Sequence, residues 1–160
     1  MFRVGIGYDV HKFSEGSRLI LGGVEIPFEL GLQGYSDADV LTHSICDAIL
    51  GALGEPDIGS KFPDTDPRYR NISSLILLRE TVVLSKSKGF NIENVDSVVV
   101  CEKPKIGNYV SQIRGKLSTI LEISEDCIGV KATTTDGIGF TGRVEGIAAH
   151  TVVLIKKFDG

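Results

Sequence analysis

The chain has 160 residues, of which 42% are hydrophobic and 24% charged, and its formal net charge is -4. This length suits a single domain over residues 1–160, and the balance excludes an intrinsically disordered chain. The acidic charge excludes a general nucleic-acid role, because such proteins need a basic surface to neutralise phosphates. Anionic ligands would therefore be bound locally, by backbone amides, a few cationic side chains or metal ions.

Cysteine usage and the N-terminus bear on the compartment. The three cysteines, Cys46, Cys101 and Cys127, contain no Cys-x-x-Cys pair, and their odd number argues against a disulfide framework. The first ten residues lack the long apolar run of a signal peptide or membrane span. We therefore expect a cytoplasmic bacterial protein with no membrane association, or a protein of a plastid-type organelle whose targeting segment has been removed.

The first elements along the chain are a strand and a hairpin. Residues 2–11 alternate apolar with other residues, which predicts a strand. Residues 18–28 place Gly22 and Gly23 between two short apolar runs. Two adjacent glycines between such runs are typical of a tight hairpin turn.

A helix is predicted next, over residues 39–53, because apolar side chains recur there at helical spacing. Ser36 lies three residues before Asp39, as in a capping box, and Gly54 is a natural stop. Residues 55–71 are rich in Pro, Asp and Gly and are predicted to form a loop.

The rest of the chain alternates between helical and strand patterns. The predicted elements are a second helix over 73–89 capped by Ser73, a buried strand over 95–101, a third helix over 106–121, and strands over 128–133 and 146–157. Because strands and helices interleave, we expect an α+β domain of two layers, a mixed β-sheet with helices on one face.

One constellation of side chains is suited to a metal. Asp9 and His11 stand two positions apart on the first strand, so they point to the same face. His43, on the following helix, would complete three ligands suited to Zn²⁺ with an open fourth position. Asp47 lies one turn after His43 and is predicted to orient it. The alternatives are a hydrogen-bonded surface pair and a solvated helix face.

Two further segments carry oxygen ligands. The loop from Asp57 to Asp66 is dense in carboxylates and hydroxyls that suit a polyol, or it is an ordinary acidic surface loop. Thr133, Thr134 and Thr135 follow a strand, where hydroxyls and amides can hold diphosphate oxygens, or they merely suit the strand.

Two charged positions complete the candidate site. Asp136 follows the threonines and could ligate a hard cation such as Mg²⁺. Lys105 lies in a basic connection before the third helix and could present its charge, with helix amides, to a phosphate or base; otherwise this is an ordinary connection.

Six stretches carry a resemblance to a known family. They are residues 5–11 (GIGYDVH), 36–43 (SDADVLTH), 57–59 (DIG), 62–67 (FPDTDP), 131–135 (KATTT) and 139–146 (GFTGRVEG). In this order, over nearly the whole chain, they resemble the 2-C-methyl-D-erythritol 2,4-cyclodiphosphate synthase family of the non-mevalonate isoprenoid pathway.

The resemblance implies a lyase that converts 4-diphosphocytidyl-2-C-methyl-D-erythritol 2-phosphate to the cyclic diphosphate and releases CMP. It implies a homotrimer with sheets packed around a threefold axis and active sites between subunits. It also implies Zn²⁺ on Asp9, His11 and His43, and Mg²⁺ or Mn²⁺ near Asp136. A central apolar cavity near Arg143 and Glu145 holds an isoprenoid diphosphate in some members of the family.

The resemblance also assigns the substrate-binding residues. They are Asp9, His11, Tyr35 and Ser36; Asp57, Ile58, Gly59, Phe62, Pro63, Asp64, Thr65 and Asp66 in the polyol loop; Cys101, Glu102, Lys103, Pro104, Lys105, Ile106 and Gly107 in the cytidine pocket; and Thr133, Thr134, Thr135, Asp136, Phe140 and Arg143. Tyr35 and Thr134 are the expected catalytic residues.

Two positions depart from the family pattern. Tyr35 stands where the family often has His, and a phenol cannot become a cation near neutral pH. Asp136 stands where Glu is common, and its shorter side chain would hold the second metal differently or through water.

Two rival functions use the same residues. A metal-dependent phosphohydrolase would use the Asp and His ligands to activate water. A non-catalytic trimer would bind isoprenoid diphosphates through Arg143 and Glu145, without dependence on a metal at Asp9. His150 is expected to be structural.

Overall fold

The computed structural model describes residues 1–158, which form seven strands and five helices. The strands are β1 (Phe2–Ser14), β2 (Ile20–Leu21), β3 (Val24–Glu25), β4 (Gly31–Leu32), β5 (Phe90–Val100), β6 (Ile128–Thr133) and β7 (Gly146–Lys157). The helices are α1 (Val40–Leu53), α2 (Ile58–Lys61), α3 (Ser74–Ser87), α4 (Val110–Leu121) and α5 (Gly139–Gly142). Among the described residues, no helix is both long and apolar enough to cross a bilayer.

Five strands form one mixed sheet in the order β4-β1-β7-β5-β6. The β5–β6 pair is parallel, whereas the other neighbours are antiparallel. Strands β2 and β3 form a separate hairpin whose turn holds Gly22 and Gly23, at φ of 56° and 73°. The predicted mixed sheet and hairpin are confirmed.

The sheet has one covered and one bare face. Helix α1 packs on β1 and β7, α3 packs on α1 and β5, and α4 packs on β6. Along β1, Gly5 and Gly7 are buried beneath α1, whereas Val4 and Ile6 point the other way and are 66% and 71% exposed. The domain therefore has the predicted two layers with its helices on one face.

Two glycines of β1 let α1 lie directly on the sheet. A Cβ at Gly5 would overlap the carbonyl oxygen of Ala48, and a Cβ at Gly7 would overlap that of Ser44. Because backbone atoms of a helix interior cannot move aside cheaply, only glycine fits at these positions. This close approach sets the distance between α1, which carries His43, and the β1 residues that follow Gly7.

One of the two predicted helix caps, Ser36, is wrong. Asp39, not Ser36, is the N-cap of α1, and its carboxylate accepts the N–H of Thr42. The same carboxylate accepts the N–H groups of Gly22 and Gly23, which joins the hairpin turn to the start of α1. Ser73 occupies the N-cap position of α3 as predicted, although its side chain makes no cap bond.

Some short elements were not predicted. The loop over 55–71 contains α2 and a 3-10 turn at Pro67–Tyr69, and β4 and α5 were also missed. A 3-10 turn at Gly107–Tyr109 stands where the third helix was predicted to begin. The predicted bounds of β6 and β7 are confirmed.

Candidate metal and substrate site

Asp9, His11 and His43 converge on one point at the junction of β1 and α1. The Oδ2 atom of Asp9 lies 2.9 Å from Nε2 of His11 and 3.1 Å from Nδ1 of His43. The two histidine nitrogens are 3.1 Å apart. The predicted ligand set is thus brought together, each residue offering one atom.

This spacing fits a small tetrahedral cation. Metal–ligand bonds of about 2.0–2.1 Å in a zinc site place neighbouring ligand atoms about 3.3 Å apart. The observed separations of 2.9–3.1 Å therefore need an outward movement of only a few tenths of an ångström. Two imidazoles and one carboxylate are also the ligand types that zinc accepts, and three protein ligands leave a fourth position open.

The tautomer of His11 supports a metal at this point. Its Nδ1 lies 2.8 Å from the carbonyl oxygen of Gln33, which can only accept. The proton of the neutral ring is therefore on Nδ1, and the Nε2 lone pair faces Asp9 and His43. Gln33 belongs to the segment that pairs with the end of β1, and sequence reasoning did not identify it.

His43 is not held by Asp47, so that prediction is wrong. Asp47 accepts the N–H of Ile58 at 2.7 Å and thereby holds the start of α2. The outer partners of His43 are hydroxyls: Oγ of Ser36 lies 3.0 Å and Oγ of Ser74 lies 2.8 Å from its Nε2. Asp47 lies one helical turn from His43, but its carboxylate bonds to the backbone N–H of Ile58 instead.

Charge in the triad favours an ionised Asp9. Burial alone would raise the pKa of Asp9, but hydrogen bonds and charge attraction from His11 and His43 lower it to about 2. Burial opposes protonation of His11, yet its interactions with Asp9 raise the pKa of His11 above its ordinary value. Asp9 is therefore ionised at neutral pH, as a metal ligand must be.

A cavity of about 330 Å³ opens beside the triad. Its walls are formed by the triad, by the residues that precede α1, by the 55–71 loop and by α3. The lining residues are Asp9, His11, Tyr35, Ser36, His43, Ile58, Gly59, Phe62, Asp64, Tyr69 and Leu77. Tyr69 and Leu77 were not predicted; the Tyr69 ring meets Phe62 edge-on, with centroids 5.4 Å apart.

Four predicted polyol-loop residues, Asp57, Pro63, Thr65 and Asp66, are not among those that line this cavity. Asp57 caps α2 by accepting the N–H of Ser60. Asp66 pairs with the guanidinium of Arg68 at 2.6 Å. The Tyr35 hydroxyl donates to the carbonyl oxygen of Asp66 at 3.3 Å, so Tyr35 joins the metal side of the cavity to the loop.

A second cavity of about 340 Å³ lies between the 101–108 connection and the end of β6. Its lining contains six of the seven residues predicted for a cytidine pocket, all except Lys103. The lining residues are Cys101, Glu102, Pro104, Lys105, Ile106, Gly107, Asn108, Ala132, Thr133 and Thr134. The two cavities share no lining residue.

The threonine run has few internal bonds. Thr133 donates to the carbonyl oxygen of Thr134 at 3.3 Å, and the Thr134 hydroxyl lies 3.4 Å from a carboxylate oxygen of Asp136. Thr135 differs, because its hydroxyl donates to Ile138 at 2.6 Å and its N–H donates to Glu102 at 3.3 Å. Thr133 and Thr134 are therefore the hydroxyls most open to a ligand, whereas Thr135 holds the turn.

The remaining predicted residues lie near the bare sheet face. Phe140 lines a third cavity, of about 460 Å³, with Val10, Lys12, Glu145 and Gly146. Arg143 is not part of this lining; its Nε pairs with Glu145 at 3.0 Å.

The ring of His150 packs against that of Tyr8 in a tilted arrangement, with ring centroids 4.6 Å apart, on the exposed side of the sheet. Its predicted structural role stays a prediction.

Comparison with known proteins places these features in a family. A model of the YgbB family matches residues 2–156. The 2-C-methyl-D-erythritol 2,4-cyclodiphosphate synthase of Caldicellulosiruptor bescii is 57% identical over 155 residues, which cover 97% of this chain and 99% of the relative. The protein of the same name from Clostridium acetobutylicum is 54% identical over 153 residues, covering 96% and 99%.

Solved structures agree in fold. The bifunctional IspDF of Campylobacter jejuni matches with a TM-score of 0.95 and 42% identity over 99% of this chain, which spans 43% of that longer chain. The IspF of Plasmodium falciparum, solved as a CDP complex, matches with a TM-score of 0.87 and 38% identity, covering 99% of this chain and 97% of that one.

Proposed function

Because the chain belongs to the YgbB family, we propose that it is a phosphorus–oxygen lyase of the non-mevalonate isoprenoid pathway. It converts 4-diphosphocytidyl-2-C-methyl-D-erythritol 2-phosphate to 2-C-methyl-D-erythritol 2,4-cyclodiphosphate and releases CMP. The observation that carries the proposal is the Asp9, His11 and His43 triad beside a cavity walled by the family's loop. A cytoplasmic location is proposed with it, supported by the bacterial origin of the named relatives.

The reaction needs no protein nucleophile. An oxygen of the 2-phosphate attacks the β-phosphorus, the bond from that phosphorus to the bridging oxygen breaks, and the oxygen leaves with CMP. The nucleophile is already anionic, so the obstacle is bringing two anionic groups together in line. Positioning and charge neutralisation can supply most of the rate in such phosphoryl transfers.

Asp9, His11 and His43 would hold Zn²⁺, and Asp136 would hold Mg²⁺ or Mn²⁺ at the diphosphate. When bound, these ions supply Lewis-acid charge neutralisation and a template for the phosphates. Asp9 would bind as a carboxylate, because its pKa is lowered to about 2. His11 would bind as a neutral imidazole, because the Gln33 carbonyl holds its proton on Nδ1 and leaves the Nε2 lone pair facing the site.

The chain's own groups would bind the rest of the substrate. Asp64 and the backbone near Gly59 line the cavity beside the triad and suit the hydroxyls of the methylerythritol part. The second cavity, with Lys105 and Gly107, suits the cytidine end. A relative solved as a CDP complex supports a cytidine ligand. The Thr134 hydroxyl would stabilise charge that develops during transfer.

A homotrimer would complete the site. The bare face of the sheet exposes an apolar row, and such contiguous apolar patches commonly mark protein–protein interfaces. The row consists of Phe2, Val4, Ile6, Tyr8, Val10 and Val152. Packing of three such faces around a threefold axis would bury it and bring the metal cavity of one subunit beside the cytidine cavity of its neighbour.

Light scattering tests the trimer. The wild-type protein should have three times the 17.2 kDa mass of one chain. Ile6→Glu would put a carboxylate in the middle of the apolar row, so it should lower the mass toward that of one chain. An unchanged mass in Ile6→Glu would contradict an interface on this face.

The third cavity, lined by Phe140 and Glu145, would face the centre of such a trimer and could accept an isoprenoid diphosphate, with the Arg143 guanidinium as the anion partner. If the protein were a non-catalytic binder, this binding would be its only activity. Release of CMP from the cytidine-linked substrate would exclude that role.

Incubation with the cytidine-linked substrate, with and without a chelator, tests the function. We expect CMP and the cyclic diphosphate in equal amounts, and loss of both with chelator. Inorganic phosphate or a linear phosphoester in the mass spectrum would instead indicate a phosphohydrolase.

A further inference from the structure

Asp37 lies behind the metal triad, between Tyr35 and α1, and its carboxylate receives only donors. Its Oδ2 accepts the N–H of Ser74 at 3.0 Å, and its Oδ1 accepts the N–H of Asp39 at 3.3 Å. The Ser74 hydroxyl also lies on Oδ1. Since an ionised carboxylate has no proton to give, the Ser74 hydroxyl must donate to it.

The orientation of the Ser74 hydroxyl determines which hydrogen bond it can make with His43. A hydroxyl has one proton and two lone pairs, and the proton of Ser74 points to Asp37. What faces Nε2 of His43, at 2.8 Å, is a lone pair. Ser74 is fully buried, so water does not replace this contact. The hydrogen bond thus requires the proton on Nε2 of His43.

Asp9 acts in the opposite sense. Its Oδ2 lies 3.1 Å from Nδ1 of His43 and would attract a proton there. A neutral imidazole holds only one proton, so the two carboxylates, Asp9 directly and Asp37 through Ser74, compete for its position. A proton on Nδ1 would occupy the point where the three ligand atoms meet and would exclude a cation.

We propose that Asp37 and Ser74 are positioning residues that hold the proton of His43 on Nε2 and so present its Nδ1 lone pair to the metal. The relay runs from His43 to Ser74 to Asp37, and neither Asp37 nor Ser74 touches the substrate cavity. The Ser36 hydroxyl, 3.0 Å from the same nitrogen, can donate as well as accept and does not select a tautomer. The inference rests on the metal site of the proposed function.

Zinc affinity without substrate is the first test. Ser74→Ala removes the acceptor for Nε2, and we expect zinc binding, measured by competition with a chromophoric chelator, to weaken about 10- to 100-fold. Ser73→Ala is the matched control, because Ser73 is the neighbouring exposed residue without a side-chain cap bond. Wild-type affinity in Ser74→Ala would overturn the proposal.

The tautomer itself is the second test. The chain has three histidines, so ¹⁵N-histidine labelling gives three imidazoles whose protonated and lone-pair nitrogens resonate in separate ranges. In metal-free protein we expect His43 to carry its proton on Nε2 in the wild type and in Ser73→Ala, and increasingly on Nδ1 in Ser74→Ala. Asp37→Asn should act likewise, because its amide can donate to Ser74 and reverse the relay.

These readouts separate the relay from a purely structural role. If Ser74→Ala lowers the melting temperature but keeps the Nε2–H tautomer and the zinc affinity, the relay is refuted. The proposed function is tested separately, by CMP release from the wild-type protein. None of these variants is used in that assay.

Discussion

The two halves of the proposed substrate site are built differently. On the metal side, both histidine ligands have an outer partner on the protein: the Gln33 carbonyl at 2.8 Å for His11 and the Ser74 hydroxyl at 2.8 Å for His43. On the phosphate side, the hydroxyls of Thr133 and Thr134 are exposed and make contacts of 3.3 and 3.4 Å within their own turn.

The difference indicates when each half becomes organised. The three candidate metal ligands are oriented within one chain before any ligand arrives, which lowers the cost of binding a cation. The threonine turn instead leaves the hydroxyls of Thr133 and Thr134 open to a ligand. Changes on the metal side should therefore alter zinc affinity and turnover together, whereas changes at the threonine hydroxyls should alter turnover and leave zinc affinity unchanged.

The largest effect is expected from removal of a metal ligand. His43→Ala leaves two ligands and an open cavity, so zinc binding should be lost. Turnover should fall by at least about 10³-fold, because several kcal/mol of charge stabilisation disappear and each 1.36 kcal/mol is tenfold. Zinc content by mass spectrometry and CMP release measure the two effects. Full CMP release by zinc-free mutant protein would contradict the metal assignment.

Loss of the Thr134 hydroxyl should be felt in turnover only. Thr134→Ala removes one donor to the developing charge, and a lowered kcat of about 10²-fold is expected. Zinc affinity and melting temperature should stay unchanged, because this side chain is exposed. Thr119→Ala is a suitable control, since its exposed hydroxyl bonds to Gly115 on α4. Weaker zinc binding in Thr134→Ala would show that the two halves are coupled within the chain.

Two glycine substitutions test how β1 and α1 set the triad. Gly7→Ala would push against the backbone of α1 at Ser44, next to His43, and should destabilise the fold by about 1–3 kcal/mol and weaken zinc binding. Gly51 lies in α1 itself, and a Cβ there would lie at an ordinary 3.7 Å from the carbonyl oxygen of Ile6. Gly51→Ala should therefore stabilise the fold by up to about 1 kcal/mol. Denaturant unfolding measures both. Equal effects would mean that close packing of α1 does not matter.

Sequence patterns predicted the long elements well, and they singled out the three side chains that converge at the candidate metal site. Strands β6 and β7 were bounded correctly because strand-favouring residues and turn signals mark their ends. The four-residue helices α2 and α5 were missed, because such lengths contain no helical repeat. Asp9 and His11 share a strand face, so their pairing followed from the period of two.

The outer partners of the ligands lay beyond sequence reasoning. Ser74 is 31 residues from His43, and Gln33 is 22 residues from His11, so no local spacing connects them. Two choices made from local spacing, Asp47 as the partner of His43 and Ser36 as a cap, were wrong. The carboxylate of Asp47 accepts the N–H of Ile58, at the start of α2, instead of bonding to His43. The N-cap of α1 is a local contact, because the carboxylate of Asp39 accepts the N–H of Thr42 three residues on.

The smallest effect is expected at Tyr35, which joins the metal side to the 55–71 loop by one hydrogen bond of 3.3 Å to the Asp66 carbonyl. Tyr35→Phe deletes a bond worth about 0.5–1.5 kcal/mol, so kcat/KM should fall by at most about tenfold. Tyr35→His restores a ring N–H donor of the type common in the family, and near wild-type turnover is expected. A fall in Tyr35→His as large as in Tyr35→Phe would show that the longer phenol is needed to reach Asp66. The loop over the metal would then depend on this chain's own departure from the family pattern.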